Sequence, residues 1–143
     1  MTIKKKVDPR MRRTRKLLQA ALFELLEKKT LAKIQIKEIT EAAELSRPAF
    51  YKQFETKEAL LFSHVDDVLE EISKEVLLEA QNGNQIDMVT LVTATFRQWQ
   101  KHKQLLRWVF QVQDKDLVMR AFSSQISAIK NFFDQFIPPL ELA

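Results

Sequence analysis

Residues 35–61, QIKEITEAAELSRPAFYKQFETKEALL, decide how the chain folds. Ile36, Ile39, Ala42 and Ala43 recur at helical spacing over barely two turns, and the pattern then breaks at Glu44-Leu45-Ser46. Ser46 is a natural N-cap whose hydroxyl can accept from the Ala49 amide, and Pro48 suits a first helical turn, where amides have no intrahelical partner. The spacing predicts a second short helix over about residues 47–54. Thr56 repeats the capping logic ahead of a longer helix, residues 56–80. Its stripe is Leu61, Val65, Val68, Ile72 and Val76, and Glu58 sits where the helix dipole favours a carboxylate.

Upstream, Leu17, Leu18, Ala21, Leu22, Leu25 and Leu26 step by three and four through residues 13–29, which makes a one-faced helix with a basic start. A loop is expected around residues 30–35. Two short helices joined by a three-residue turn and packed on such a helix describe a helix-turn-helix, whose second helix can enter the DNA major groove. Downstream, Asn82-Gly83-Asn84 holds the only glycine of the chain. Beyond it Met88, Leu91, Val92, Thr95, Phe96 and Trp99 mark a fifth helix, and residues 105–112 a sixth. Met119, Phe122, Ile126, Ile129, Phe133 and Phe136 then step by 3, 4, 3, 4, 3 until Pro138-Pro139 stops the seam. The expected class is all-α: a three-helix DNA-binding domain over residues 1–55, then a helical regulatory and dimerisation body over 56–143, with helix 56–80 connecting them.

Composition supports this class by exclusion. The 143 residues are 45% hydrophobic and 29% charged, enough for a core, while one Gly in the whole chain disfavours hairpins and phosphate-cradling loops. No Cys means no disulfide, thiolate metal site or thiol catalysis. The only histidines, His64 and His102, are isolated and no HExxH is present. Neither an enzyme nor a bound metal or cofactor is expected. No apolar run approaches the ~18 residues of a spanning helix, and the charged N-terminus is unlike a signal peptide, so a cytoplasmic protein without a membrane partner is expected. Charge is uneven: residues 1–60 carry 15 Lys and Arg against 8 Asp and Glu, and residues 61–143 carry 8 against 11. Such asymmetry suggests a polyanion-binding end on a near-neutral body.

The same stretch resembles the DNA-binding domain of the TetR family of transcriptional repressors. There a pattern Ile-Ala-x-x-Ala-Gly-Val-Ser-x-x-x-Phe-Tyr-x-x-Phe-x-x-Lys-x-x-Leu spans these elements. Ile39, Ala43, Ser46, Phe50, Tyr51, Phe54, Lys57 and Leu60 fall in register, and the resemblance covers roughly residues 9–65. Glu44 stands at the usual turn glycine, Thr40 at an alanine, Gln35 at a Thr cap and Gln53 at a frequent His. Pro48 and Ala49 replace small and hydroxylated residues. A left-handed Glu44 would cost of order 1 kcal/mol; otherwise the turn is shaped differently.

Ile39, Leu45, Phe50 and Phe54 read as core. Arg47, Ala49, Lys52 and Gln53, following the Ser46 cap, project toward the groove: Arg or Lys can bond guanine bidentately, Gln can pair with adenine, and an alanine methyl can meet the thymine methyl. Lys37 is a candidate phosphate contact, and the resemblance implies the same for Tyr51 and Lys57. Lys4 to Arg15 read as an arm in loose phosphate contact, against the plainer reading of a solubilising tail. The plain alternative for the polar helix residues is a solvated face.

In the body, aromatic bulk permits a cavity, and the resemblance implies a small-molecule site there whose occupancy moves two DNA-binding heads. Phe96, Trp99, His102, Trp108, Met119 and Phe122 are the candidate pocket for a largely apolar effector. Gln98 and Gln111 are among the polar residues that could reach it, unless the aromatics simply pack. Met119, Ile126, Ile129, Phe133 and Phe136 are the candidate homodimer seam. A dimer would set two recognition helices ~34–36 Å apart on double-stranded DNA and read a near-palindrome. The expected function is a ligand-responsive DNA-binding regulator, with repression implied by the resemblance. The competing reading is a helical protein-interaction module without DNA binding.

Overall fold

Asp8 and Pro9 start the first helix. The Asp8 carboxylate accepts from the Arg10 amide and Pro9 takes the first helical position, where its missing N–H costs nothing. Helix α1 therefore runs Pro9–Leu26, beginning four residues ahead of the expected start. Arg10, Arg12, Arg13 and Arg15 thus lie on a helix rather than on a loose arm. The computed structural model describes residues 8–81, 88–120, 122, 123, 127 and 130. Lys4 to Lys6 and the Asn82-Gly83-Asn84 break lie outside them.

Among the described residues the secondary structure is entirely helical. After α1 come a 3-10 turn at Leu31–Lys33, inside the expected loop, then α2 (Ile36–Ala42), α3 (Arg47–Tyr51), α4 (Lys57–Gln81), α5 (Met88–Lys101) and α6 (Lys103–Val109). Residues 115–120 are again helical, started by Asp114, whose side chain accepts from the Leu117 amide at 3.0 Å. Both predicted caps form: Ser46 Oγ accepts from the Ala49 amide at 3.2 Å, and Thr56 Oγ1 from the Ala59 amide at 3.0 Å. Helix α3 is shorter than expected, since Lys52 and Gln53 form a turn.

The chain forms two compact units. One comprises the residues up to His64 together with Gln104–Val112; the other comprises Val65–Lys103 and the residues from Gln113 on. In the first, Leu18, Leu22, Ile34, Ile39, Phe50, Leu60 and Leu61 are fully buried. That is the apolar stripe of α1 meeting the helix-turn-helix and the start of α4. Leu17 lies off the stripe and is exposed. The α1–α4 contact has a polar seam as well. Gln19, buried, donates to Ser63 Oγ at 3.0 Å, and the Arg15 guanidinium donates to the Ser63 carbonyl at 2.9 Å. Phe23 stacks on Trp108 of α6 with ring centroids 5.1 Å apart and meets His64 edge-on at 4.4 Å. In the second unit, Val65 and Val68 are buried, the Gln98 amide bonds the Glu75 carboxylate, and the Trp99 and Phe122 rings lie 6.2 Å apart.

Candidate nucleic-acid interface

The link between α2 and α3 sets the site. The Ala43 amide ends α2 on the Ile39 carbonyl, Glu44 then enters the left-handed region at φ 55°, and the Leu45 amide returns to the Thr40 carbonyl at 2.9 Å. With the Glu44 amide on the Glu41 carbonyl, this is a complete Schellman closure. Glu44 therefore adopts the conformation usually given to glycine, which decides between the two turn shapes open from the sequence. The closure redirects the chain so that Ser46 can cap α3. Phe50 is fully buried beneath, with Tyr51 edge-on at 5.4 Å and Phe54 at 5.9 Å. Its burial fixes the roll of α3 and turns Arg47 and Tyr51 outward.

An open groove of about 520 Å³ results, lined by Ile34, Gln35, Ile36, Lys37, Arg47, Tyr51 and residues 55–58. It gathers Lys37, Arg47, Tyr51 and Lys57 from three helices, α2, α3 and α4. Ser46, Ala49, Lys52 and Gln53 are not part of its lining. Of these, Ser46 and Lys52 are exposed, while Ala49 and Gln53 are half-buried. Three cations share the lining with Glu55 and Glu58, and Tyr51 is 55% exposed despite its ring contact with the core. Lys37 also lies 3.8 Å from Glu41, an exposed pair one helical turn away that leaves its charge accessible.

Lys57 has the most determined position. Its ammonium donates to the carbonyls of Leu31 at 2.7 Å, Ile34 at 2.9 Å and, loosely, Ala32 at 3.4 Å. A lysine at the head of α4 thus clasps the 3-10 turn before α2, and its charge is held in the groove. At the far side of that turn the Glu38 carboxylate accepts from the Gln35 amide at 2.9 Å and is bonded by the Lys29 ammonium. The Lys29 bond first, and the Gln35 amide second, hold the Glu38 carboxyl below its ordinary value. Convergent cations, a phenol and the first-turn amides of α4 are the groups that can take up the oxygens of an anion such as phosphate.

Sequence reasoning missed Gln35, Ile36, Glu55 and Glu58 as groove lining, and Leu31, Ala32 and Ile34 as partners of Lys57. The last three act through backbone carbonyls, which carry no residue signature. A second basic groove, about 350 Å³, lies on α1 between Pro9, Arg12, Arg13, Lys16 and Leu17.

The pocket candidates are distributed differently. Trp108 is buried in the first unit against Phe23, whereas Trp99, half-buried, lies near Phe122 in the second. Phe96 and Met119 are exposed, and His102 is half-buried. Of the two glutamines, Gln98 bonds Glu75 and Gln111 accepts from the Leu31 amide. Of the dimer seam only Met119 is described; Ile126, Ile129, Phe133 and Phe136 lie outside the described residues. Among the described residues no group of acidic residues and histidines is arranged to hold a metal, and no helix is long and apolar enough to cross a membrane.

Residues 17–63, from the middle of α1 into α4, match the family model for bacterial regulatory proteins of the tetR family. That model describes DNA-binding regulators rather than enzymes. No curated protein matches the chain.

Proposed function

We propose that the chain, whose residues 17–63 match the family model for bacterial regulatory proteins of the tetR family, is a cytoplasmic, ligand-responsive DNA-binding repressor reading a near-palindromic operator as a homodimer. The observation that carries the docking scheme is the groove that gathers Lys37, Arg47, Tyr51 and Lys57 beside α3. Lys37, Tyr51 and Lys57 fix the protein on the phosphate backbone. Arg47, Ala49, Lys52 and Gln53, behind the Ser46 cap, supply base readout in the major groove. The residues up to 55 form the reading head, helix 56–80 connects, and the remainder regulates.

In the body, Trp99, His102 and Phe122 contact a largely apolar effector, a role supported by the half-buried state of all three within one unit. The seam through Met119, Ile126, Ile129, Phe133 and Phe136 joins two copies. Its heptad spacing is the support for this. An effector changes operator affinity only to the degree that it binds one arrangement of the two heads more tightly than the other.

Selection from a random duplex library with the purified protein, followed by salt titration on the enriched and on a scrambled duplex, tests the proposal. A palindromic enrichment, with the scrambled duplex bound far more weakly and a slope of several units in log K against log salt, is the expected result. Equal weak binding to both duplexes would overturn it in favour of a protein-interaction module.

A further inference from the structure

Both backbone polar groups of Leu31 bond to distant residues. Its carbonyl accepts from the Lys57 ammonium at 2.7 Å, and its N–H donates to Gln111 Oε1 at 3.2 Å. Leu31 opens a 3-10 turn, so its amide has no partner within that turn, and Thr30 ahead of it provides no side-chain cap. Gln111, just past the end of α6 and 80 residues away, supplies the missing acceptor. The Leu31 side chain is buried, so the residue joining these two peptide groups is itself anchored.

This turn holds Lys57. Two short hydrogen bonds, to Leu31 and Ile34, fix the ammonium, while the third hydrogen, shared loosely with Ala32 at 3.4 Å, remains for an anion. A lysine fixed before DNA arrives gives up little side-chain freedom on binding a phosphate. Its usefulness then depends on the orientation of the carbonyls that hold it.

We infer that Gln111 is a positioning residue for DNA binding: by accepting from the Leu31 amide it orients the carbonyls that aim Lys57 at the phosphate backbone, without itself touching DNA. The inference rests on the DNA-binding reading above. It adds a determinant of operator affinity that lies outside the helix-turn-helix.

The test is a double-mutant cycle on the enriched duplex with the full chain, using Gln111→Met, which keeps the side-chain length and removes the acceptor, Lys57→Ala, and the two combined. Each single variant is expected to bind roughly tenfold more weakly, with the salt slope shallower by about one unit, and the double variant no more weakly than Lys57→Ala. Gln111→Glu, which retains the acceptor, restores the parental slope and the hydrogen-exchange protection of the Leu31 amide, a rescue that general loosening of α6 would not give. Parental affinity and slope in Gln111→Met, or losses that simply add in the double variant, would overturn the inference while leaving the regulator reading intact. Failure of the parent protein to prefer the enriched duplex would overturn both.

Discussion

The Leu45 amide donates to the Thr40 carbonyl at 2.9 Å across Glu44, whose φ is 55°. The two hydrogen bonds of this closure are what keep a β-carbon-bearing residue in a region costing roughly 1–2 kcal/mol. Glycine would form the same bonds without that cost. Glu44→Gly is therefore expected to raise stability by about 1 kcal/mol and the melting temperature by a few degrees in a thermal scan. The groove and DNA affinity should be unchanged, because Glu44 does not line the groove. A lower melting temperature would show that the Glu44 side chain contributes something the turn needs.

Lys57 combines a structural and an electrostatic role, and the two can be separated. Removing its ammonium takes one donor from three carbonyls around Leu31 to Ile34, of which Leu31's keeps the Ile34 amide at 3.1 Å. Lys57→Ala should cost about 1–2 kcal/mol in chemical denaturation. Exposed lysines such as Lys52 should cost almost nothing. Equal stability of Lys57→Ala and Lys52→Ala would mean that the clasp does not hold in solution.

The two caps and the core of the head were legible because they depend on side-chain type at fixed spacing. A hydroxyl three residues ahead of a free amide is visible in a sequence, as are Ile39 and Phe50 on an apolar face. The start of α1 was readable in principle from Asp8-Pro9, but the run of cations around it reads as a tail when charge alone is weighed. The clasp on Lys57 was not legible, since its acceptors are backbone carbonyls. Nor was the role of Gln111, whose partner is an amide 80 residues earlier and reachable only once α6 packs on α1.

In the proposed docking, Tyr51 takes a backbone contact and Arg47 a base contact. Tyr51 keeps its ring against Phe50 while its exposed face enters the groove, so Tyr51→Phe removes the hydroxyl alone. It should weaken every duplex by a similar few-fold factor and leave the melting temperature unchanged. Arg47 sits at the first position of α3 and is exposed. Arg47→Ala should reduce discrimination at one base pair of each half-site by about 1–3 kcal/mol, measured as the affinity ratio between the selected duplex and its single-base variants. Uniform weakening by Arg47→Ala across all variants would reassign that residue to the phosphate backbone.

The contact between Lys29 and Glu38 ties the segment after α1 to the first turn of α2, and it titrates. The Lys29 bond, with the Gln35 amide second, favours the charged carboxylate and lowers its pKa below 4.5. For a carboxyl depressed on folding, the stabilisation is complete above its unfolded-state pKa and is lost as pH falls through the folded value. The window therefore lies below 4.5, and the start of α2 should loosen there while remaining insensitive to pH near neutrality. An NMR titration of the Glu38 side chain should give a midpoint below 4.5 in the parent and a higher one in Lys29→Met, where only the Gln35 amide remains. A parental midpoint unaffected by Lys29→Met would show that Lys29 spends its time in solvent and that the amide alone sets the shift.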